Sequence, residues 1–196
     1  AGERARVQLL GAAFVAFSQG VPYFHAGMDV LRSKSLDRNS FDSGDWFNRI
    51  DWTGQDNFFG TGLPPARGNE PSWPLMRPRL ADPRLDPSPA DIAWSRGAFN
   101  DLLRIRASST LFRLDNAAAV TGRLRFLNTG PQQAPEVIVG HLLGRGYPGA
   151  TFSEMLYLVN VGIETHTLQF DGERGKRYVL HPVHRASGAT DRRAAE

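Results

Sequence analysis

Gly20-Val21-Pro22-Tyr23-Phe24-His25-Ala26-Gly27 is the stretch on which the fold turns. It reads as a brief strand, apolar on both faces and fenced by glycines. Pro22 falls near its start, where a missing N–H costs least. Before it, Val7, Leu10, Phe14 and Phe17 recur at helical spacing across residues 3–18, and Leu9, Ala13 and Val15 widen that face. Gly20 stands where a helix end favours a left-handed residue. A helix, a glycine and a strand buried on both sides make the αβ step of a parallel sheet covered by helices.

Periodicity disappears from residue 33 to residue 87, a stretch rich in Asp, Asn, Gly and Pro that also holds Trp46, Trp52, Phe58, Phe59 and Trp73. The aromatic content argues against disorder. Such length argues for an ordered, functional excursion. Regular structure restarts at Ser88-Pro89-Ala90-Asp91, with a serine to cap, a proline at the first helical position and an acid two residues on. Ile92, Phe99, Leu102, Leu103 and Ile105 continue that helix to about Ser108.

After Ser109 the pattern changes to short apolar runs at Leu124–Leu127, Val137–Leu143, Met155–Val161, His166–Phe170 and Arg177–Leu180. Turn clusters such as Asn128-Thr129-Gly130-Pro131 and Asp171-Gly172-Glu173 separate them, which predicts an antiparallel all-β domain. The expected fold class is therefore α/β plus all-β, with domains 1–110 and 111–196, the second incomplete. The tail from Arg185 carries no apolar pattern and is expected to fray.

Composition excludes several classes. With 41% apolar and 22% charged residues among 196, the chain can pack a core. It has no cysteine, so no disulfide framework, thiolate metal site or cysteine nucleophile exists. The net charge of +3 arises from 23 basic and 20 acidic residues interleaved along the chain. No nucleic-acid partner is expected, because that requires clustered positive charge. The apolar run Val7–Phe17 is too short to cross a bilayer, which takes about 20 residues, so no membrane is expected either. No Met opens the chain, and a longer parent is expected.

Three segments carry a family likeness. Gly20–Gly27 looks like the eighth-strand motif of the α-amylase superfamily. The run Leu31-Arg32-Ser33-Lys34-Ser35-Leu36-Asp37-Arg38-Asn39-Ser40-Phe41-Asp42-Ser43-Gly44-Asp45-Trp46-Phe47-Asn48-Arg49-Ile50-Asp51-Trp52 is similar, nearly residue for residue, to the segment that follows in bacterial pullulanases and plant limit dextrinases. Gly62-Leu63-Pro64-Pro65 and Trp73-Pro74-Leu75-Met76-Arg77-Pro78 continue it, and Phe99 to Phe112 resembles the last barrel helix of that family. One departure is Met28-Asp29, standing where the family usually has an acid-rich pair.

The resemblance implies the C-terminal end of a (β/α)8 barrel followed by an antiparallel β-sandwich, within a retaining glycosidase that cuts α-1,6 links in pullulan, amylopectin or limit dextrins. Retention takes two carboxyl groups about 5–5.5 Å apart. The family's catalytic acids would lie upstream of Ala1, so no catalytic residue is assigned in this chain. The family's Asp-X-X-X-Arg pattern falls on Asp45 and Arg49, which the resemblance makes substrate-binding residues for a branched α-glucan. Calcium occurs as a cofactor in the superfamily, but the spacing of Asp37, Asp42, Asp45 and Asp51 does not match a calcium loop. His141, His166, His181 and His184 lack metal-ligand spacing and suit surface or turn roles. By analogy a secreted or periplasmic setting is expected. The remainder of the barrel, or a second copy, is expected to cover the first helix. The alternative is a non-catalytic carbohydrate-binding or structural fragment.

Overall fold

The computed structural model describes residues 1–193 and 195; Ala194 and Glu196, in the expected frayed tail, lie outside the described residues. Six α-helical segments and three strands are present among them, beside short 3-10 turns: α1 (Gly2–Phe17), α2 (Ala66–Asn69), α3 (Trp73–Leu80), α4 (Pro89–Ala107), α5 (Ala117–Arg123), β1 (Leu124–Phe126), β2 (Val137–Leu143), β3 (Glu154–Asn160) and α6 (Pro182–Arg185). The chain divides into two compact units, one of Ala1–Ala12 with Phe24–Asn100, the other of Ala13–Tyr23 with residues 101 onward.

In the first unit, α4 begins as its sequence dictates. The Ser88 hydroxyl accepts from the Asp91 amide at 3.2 Å, and the Asp91 carboxylate accepts from the Ser88 amide at 2.9 Å. This reciprocal box satisfies donors that a helix start leaves orphaned. Ile92, Ala98 and Phe99 then turn inward, and Phe99 meets Phe24 edge-on at 5.0 Å. Trp73–Leu80 is helical although its residues show no helical period. Pro74 suits its first turn and Pro78 lies inside it, so the residues that start and strain this helix also hide it.

Two expectations fail. Val21–His25 is extended but pairs with no strand among the described residues, and Val21 (78%) and Tyr23 (85%) are largely exposed. An apolar run does not become a strand without a neighbour to share hydrogen bonds. Helix α1 also buries only part of the expected face. Ala13 is buried as expected, but Ala5, Ala12 and Ala16 are buried too, whereas Val7 is 67% exposed.

The second unit contains the end of α1. Arg106 reaches the end of α1, donating from Nη1 to the carbonyls of Ala16 (2.7 Å) and Ser18 (2.8 Å) and from Nη2 to that of Gly20 (2.7 Å). A buried cation thereby satisfies carbonyls near a helix C-terminus, where the backbone dipole favours positive charge. Gln19 adds two bonds, donating to the Leu111 carbonyl (2.8 Å) and accepting from the Leu114 amide (2.9 Å).

The sheet has the order β1-β2-β3, antiparallel throughout. Its face bearing Leu124, Leu142, Met155 and Tyr157 packs on Ile105, Leu111, Phe112 and Leu114. Phe112 stacks on Phe17 at 5.1 Å. Gly140 is required opposite Tyr157, because a Cβ there would lie 2.0 Å from the ring. The bounds of β2 agree with the sequence pattern, but His166–Phe170 and Arg177–Leu180 form no strands. They alternate without finding an edge to pair with, so the sheet stops at three strands among the described residues. Helix α5 appears where strands alone were expected; Asn116 caps it, accepting from the Ala119 amide at 2.8 Å. The tail is tied down at Thr190, whose amide donates to Asp101 at 2.9 Å, and does not fray there.

Candidate functional site

The excursion after Gly27 is ordered mainly by polar side chains bonded to backbone. Asp37 accepts from the Asn39 amide (3.1 Å), the Ser43 hydroxyl (2.5 Å) and the Asn69 amide group (3.0 Å). Burial pushes its carboxyl upward, but the bonds from Ser43, Asn69 and Asn39 outweigh that and hold it below its usual value. Asn48 donates to the carbonyls of Ser40 (2.7 Å) and Gly44 (2.9 Å). Asp51 accepts from the Thr53 hydroxyl and from the amides of Thr53, Gln55 and Asp56, and these bonds keep it far below the usual carboxylate range.

The geometry so fixed is strained. Among the described residues, the four non-glycine residues with positive φ are Leu31, Ser35, Leu36 and Phe58, all in this excursion. Such conformations persist only where the surroundings over-determine them, and they gather at functional sites.

Asp45 and Arg49 share one turn. The Asp45 carbonyl accepts from the amides of Asn48 (3.0 Å) and Arg49 (2.9 Å). Asp45 is exposed, and its carboxylate has no hydrogen-bond or ion-pair partner among the described residues. Arg49 is half-buried, its guanidinium carbon 4.1 Å from the centre of the Trp46 ring and 3.8 Å from that of Phe58. Its Nε is buried without a hydrogen-bond partner. The two side chains thus form no salt bridge with each other.

The other candidates separate. Trp46 and Trp52 are exposed, whereas Trp73 is half-buried and donates to the Pro64 carbonyl at 3.0 Å, a loop-core role. His25 is exposed and lines a cleft of ≈ 530 Å³ with Leu31, Arg32, Lys34 and Phe59. A smaller cleft of ≈ 380 Å³ is lined by Lys34, Asp37, Asn39, Phe41 and Asn48. Asp45 and Arg49 line neither; Asp45 is exposed and Arg49 half-buried. Asp29, of the departing Met28-Asp29 pair, lies 3.7 Å from Arg96. Of the loop acids, Asp37 and Asp51 are filled by donors, and Asp42 lies 4.0 Å from Arg67.

A cluster that the sequence reading missed lies on the second unit's sheet. His141, expected at the surface, is buried, with Nε2 3.0 Å from Glu154 and Nδ1 3.3 Å from Glu173. These three residues lie close enough to hold a metal ion. Lys176 already bridges both carboxylates, at 2.8 and 3.0 Å, and the Tyr178 hydroxyl lies within hydrogen-bond distance of both. The signal available was register, because β2 and β3 place His141 and Glu154 on one face of the hairpin. No helix among the described residues is long and apolar enough to cross a membrane.

Comparison with known proteins adds a decisive observation. Residues 54–196 match the family described as alpha-1,6-glucosidases, pullulanase-type, C-terminal. The chain belongs to this pullulanase-type family. Chloroplastic pullulanase 1 of Arabidopsis thaliana is 46% identical over 191 residues, covering 92% of this chain and 20% of the relative. Pullulanase of Klebsiella pneumoniae is 33% identical over 175 residues, covering 87% of this chain and 16% of the relative. The chain therefore spans about a fifth or less of the length of these pullulanases. A Klebsiella pneumoniae pullulanase solved in complex with maltotriose superposes with a TM-score of 0.72 at 32% identity, covering 80% of this chain and 15% of that one.

Proposed function

We propose that this chain supplies part of the substrate cleft of a retaining debranching glycosidase that hydrolyses α-1,6 branch links in α-glucans. Asp45 and Arg49 grip a sugar there, and the catalytic acids come from polypeptide outside this chain. The observation that carries this reading is the turn itself. An exposed carboxylate without a partner among the described residues and a half-buried guanidinium lying over two rings stand four residues apart on one turn. The carboxylate can accept from adjacent sugar hydroxyls, and the guanidinium edge can donate to oxygens in its own plane. The maltotriose complex of the Klebsiella pneumoniae relative supports a glucan as the ligand class.

The same reading makes residues 1 to about 110 the end of a (β/α)8 barrel and the rest part of a β-sandwich. Two features support it. Val21 and Tyr23, on one face of an extended segment, leave apolar surface uncovered, as a barrel strand does without its neighbours. Leu158, Ile163 and Val179 are exposed apolar side chains of the kind a second sheet covers.

Two measurements test the proposal. The purified chain should release no reducing ends from pullulan; turnover proportional to its concentration would show that it carries its own catalytic acids. Titration with maltotriose or a branched dextrin should show binding that Asp45→Ala abolishes. Unchanged binding in that variant moves the site to the β-rich unit, and no binding by the native chain leaves a structural fragment.

A further inference from the structure

Phe58 is the least expected residue of the excursion. Its φ is 61°, a conformation that costs a bulky side chain dearly. The loop enforces it from both sides. The Asp56 carboxylate accepts from the Phe58 amide at 2.6 Å, and the Asn57 side chain accepts from the Phe59 amide at 3.0 Å. Asn57 is itself buried, donating from its side chain to the Leu31 carbonyl (2.7 Å) and accepting at its own carbonyl from the Ser33 amide (3.0 Å). Two successive side-chain-to-backbone turns thus hold the chain where glycine would sit more easily, yet the residue is phenylalanine.

What the strain secures is a ring 3.8 Å from the Arg49 guanidinium carbon, with Trp46 at 4.1 Å. Both rings lie against the cation without using any of its N–H groups. No side-chain hydrogen bond from Arg49 is present among the described residues, and Nε is already out of water. Arginine normally loses considerable rotational freedom when it engages a ligand, and a guanidinium already fixed loses less. Its donors all lie in one plane, so a fixed plane selects ligands that present oxygens in that plane.

We propose that Phe58 is a positioning residue for Arg49, its left-handed backbone and ring setting the plane in which the guanidinium meets a sugar. This rests on the cleft reading above and adds how the cleft is preorganised. An isolated Arg49 on the same turn would sweep many orientations, and the sugar would have to select one of them.

The test uses a full-length pullulanase-type enzyme bearing this segment, with KM and kcat measured on a branched dextrin. Phe58→Leu should raise KM about tenfold, the size of a lost cation–π contact, with a much smaller change in kcat. Phe58→Tyr, which keeps an aromatic face, should recover most of that loss. Phe58→Gly suits the left-handed backbone and carries the test where Phe58→Leu does not fold; it too should raise KM. Arg49→Ala separates the two readings. If Arg49→Ala raises KM while neither Phe58→Leu nor Phe58→Gly does, the positioning role is overturned and the cleft stands. If Arg49→Ala leaves KM unchanged, the cleft reading is overturned, and this inference with it. A tyrosine variant as impaired as the leucine one would also overturn it, since the aromatic face would then not be what matters.

Discussion

The excursion from Leu31 to Gly60 and the hairpin of β2 and β3 are both ordered, for opposite reasons. In the hairpin, ladder hydrogen bonds fix the backbone, and one face buries Leu142 against Phe112 and Leu111. In the excursion there is no ladder. Asp37, Asn48, Asp51 and Asn57 bind backbone groups one at a time and leave Trp46, Trp52 and Phe41 at the surface. Apolar burial makes a scaffold that tolerates little change in shape. Polar pinning makes a surface whose side chains are held yet available, which suits recognition.

If that contrast is right, the largest loss of stability follows from the apolar side. Phe112 is 1% exposed, stacked on Phe17 and 6.3 Å from the Tyr157 ring. Phe112→Ala should cost about 3–5 kcal/mol, the usual range for removing a buried aromatic ring. Denaturant midpoints measure it. A loss of about 1 kcal/mol or less would mean that this cluster is not the second unit's core.

The contrast also explains which parts were legible in the sequence. Helix α4 announced itself through Ser88 and Asp91, and β2 through Val137–Leu143, because capping and alternation are local signals. Helix α3 was not legible because Pro78 contradicts its own helix, nor α5, because Asn116 and three alanines sat among strand-like runs. His166–Phe170 and Arg177–Leu180 show the reverse failure, since alternation specifies a face and does not supply a partner strand. The Ala5, Ala12 and Ala16 stripe of α1 is not legible because alanine gives only a weak apolar signal beside Val7, Leu10 and Phe14. At the candidate site, Asp45 and Arg49 could be named from the family pattern. Phe58 could not, because no local rule puts a phenylalanine at positive φ.

The polar side of the comparison has its own test. Asn57 is buried and makes hydrogen bonds through its side chain to the Leu31 carbonyl and the Phe59 amide. Asn57→Ala leaves both groups unpaired, at about 1–3 kcal/mol. The loss should be local, so amide hydrogen exchange should quicken from residue 31 to residue 60 while β2 and β3 keep their protection. Equal loss of protection in the hairpin would break the distinction between the two modes of order.

The smallest effect probes a polar cluster set on the apolar scaffold. The hydrogen bond from Lys176 is the main reason that the Glu154 carboxyl falls to about 2, with Tyr178 and His141 adding to it against an opposing push from burial. Hydrogen bonds from Tyr178 and Lys176 likewise hold Glu173 below its usual value. A carboxyl whose folded value lies below its unfolded one contributes stability that is fully present above the unfolded value. That contribution is lost as pH falls through the folded value, because the unfolded chain takes up the proton first. For Glu154 the window runs from its ordinary 4.5 down to about 2. Thermal midpoints of the native protein should therefore fall more steeply across that window than those of Glu154→Gln, which has no proton to take up there. The difference should be modest, because Lys176 and Glu154 are both partly in solvent and exposed ion pairs are heavily screened. Parallel pH profiles for the two proteins would mean that the Lys176 contact contributes nothing to folding, and that face of the sheet would then rest on its apolar residues alone.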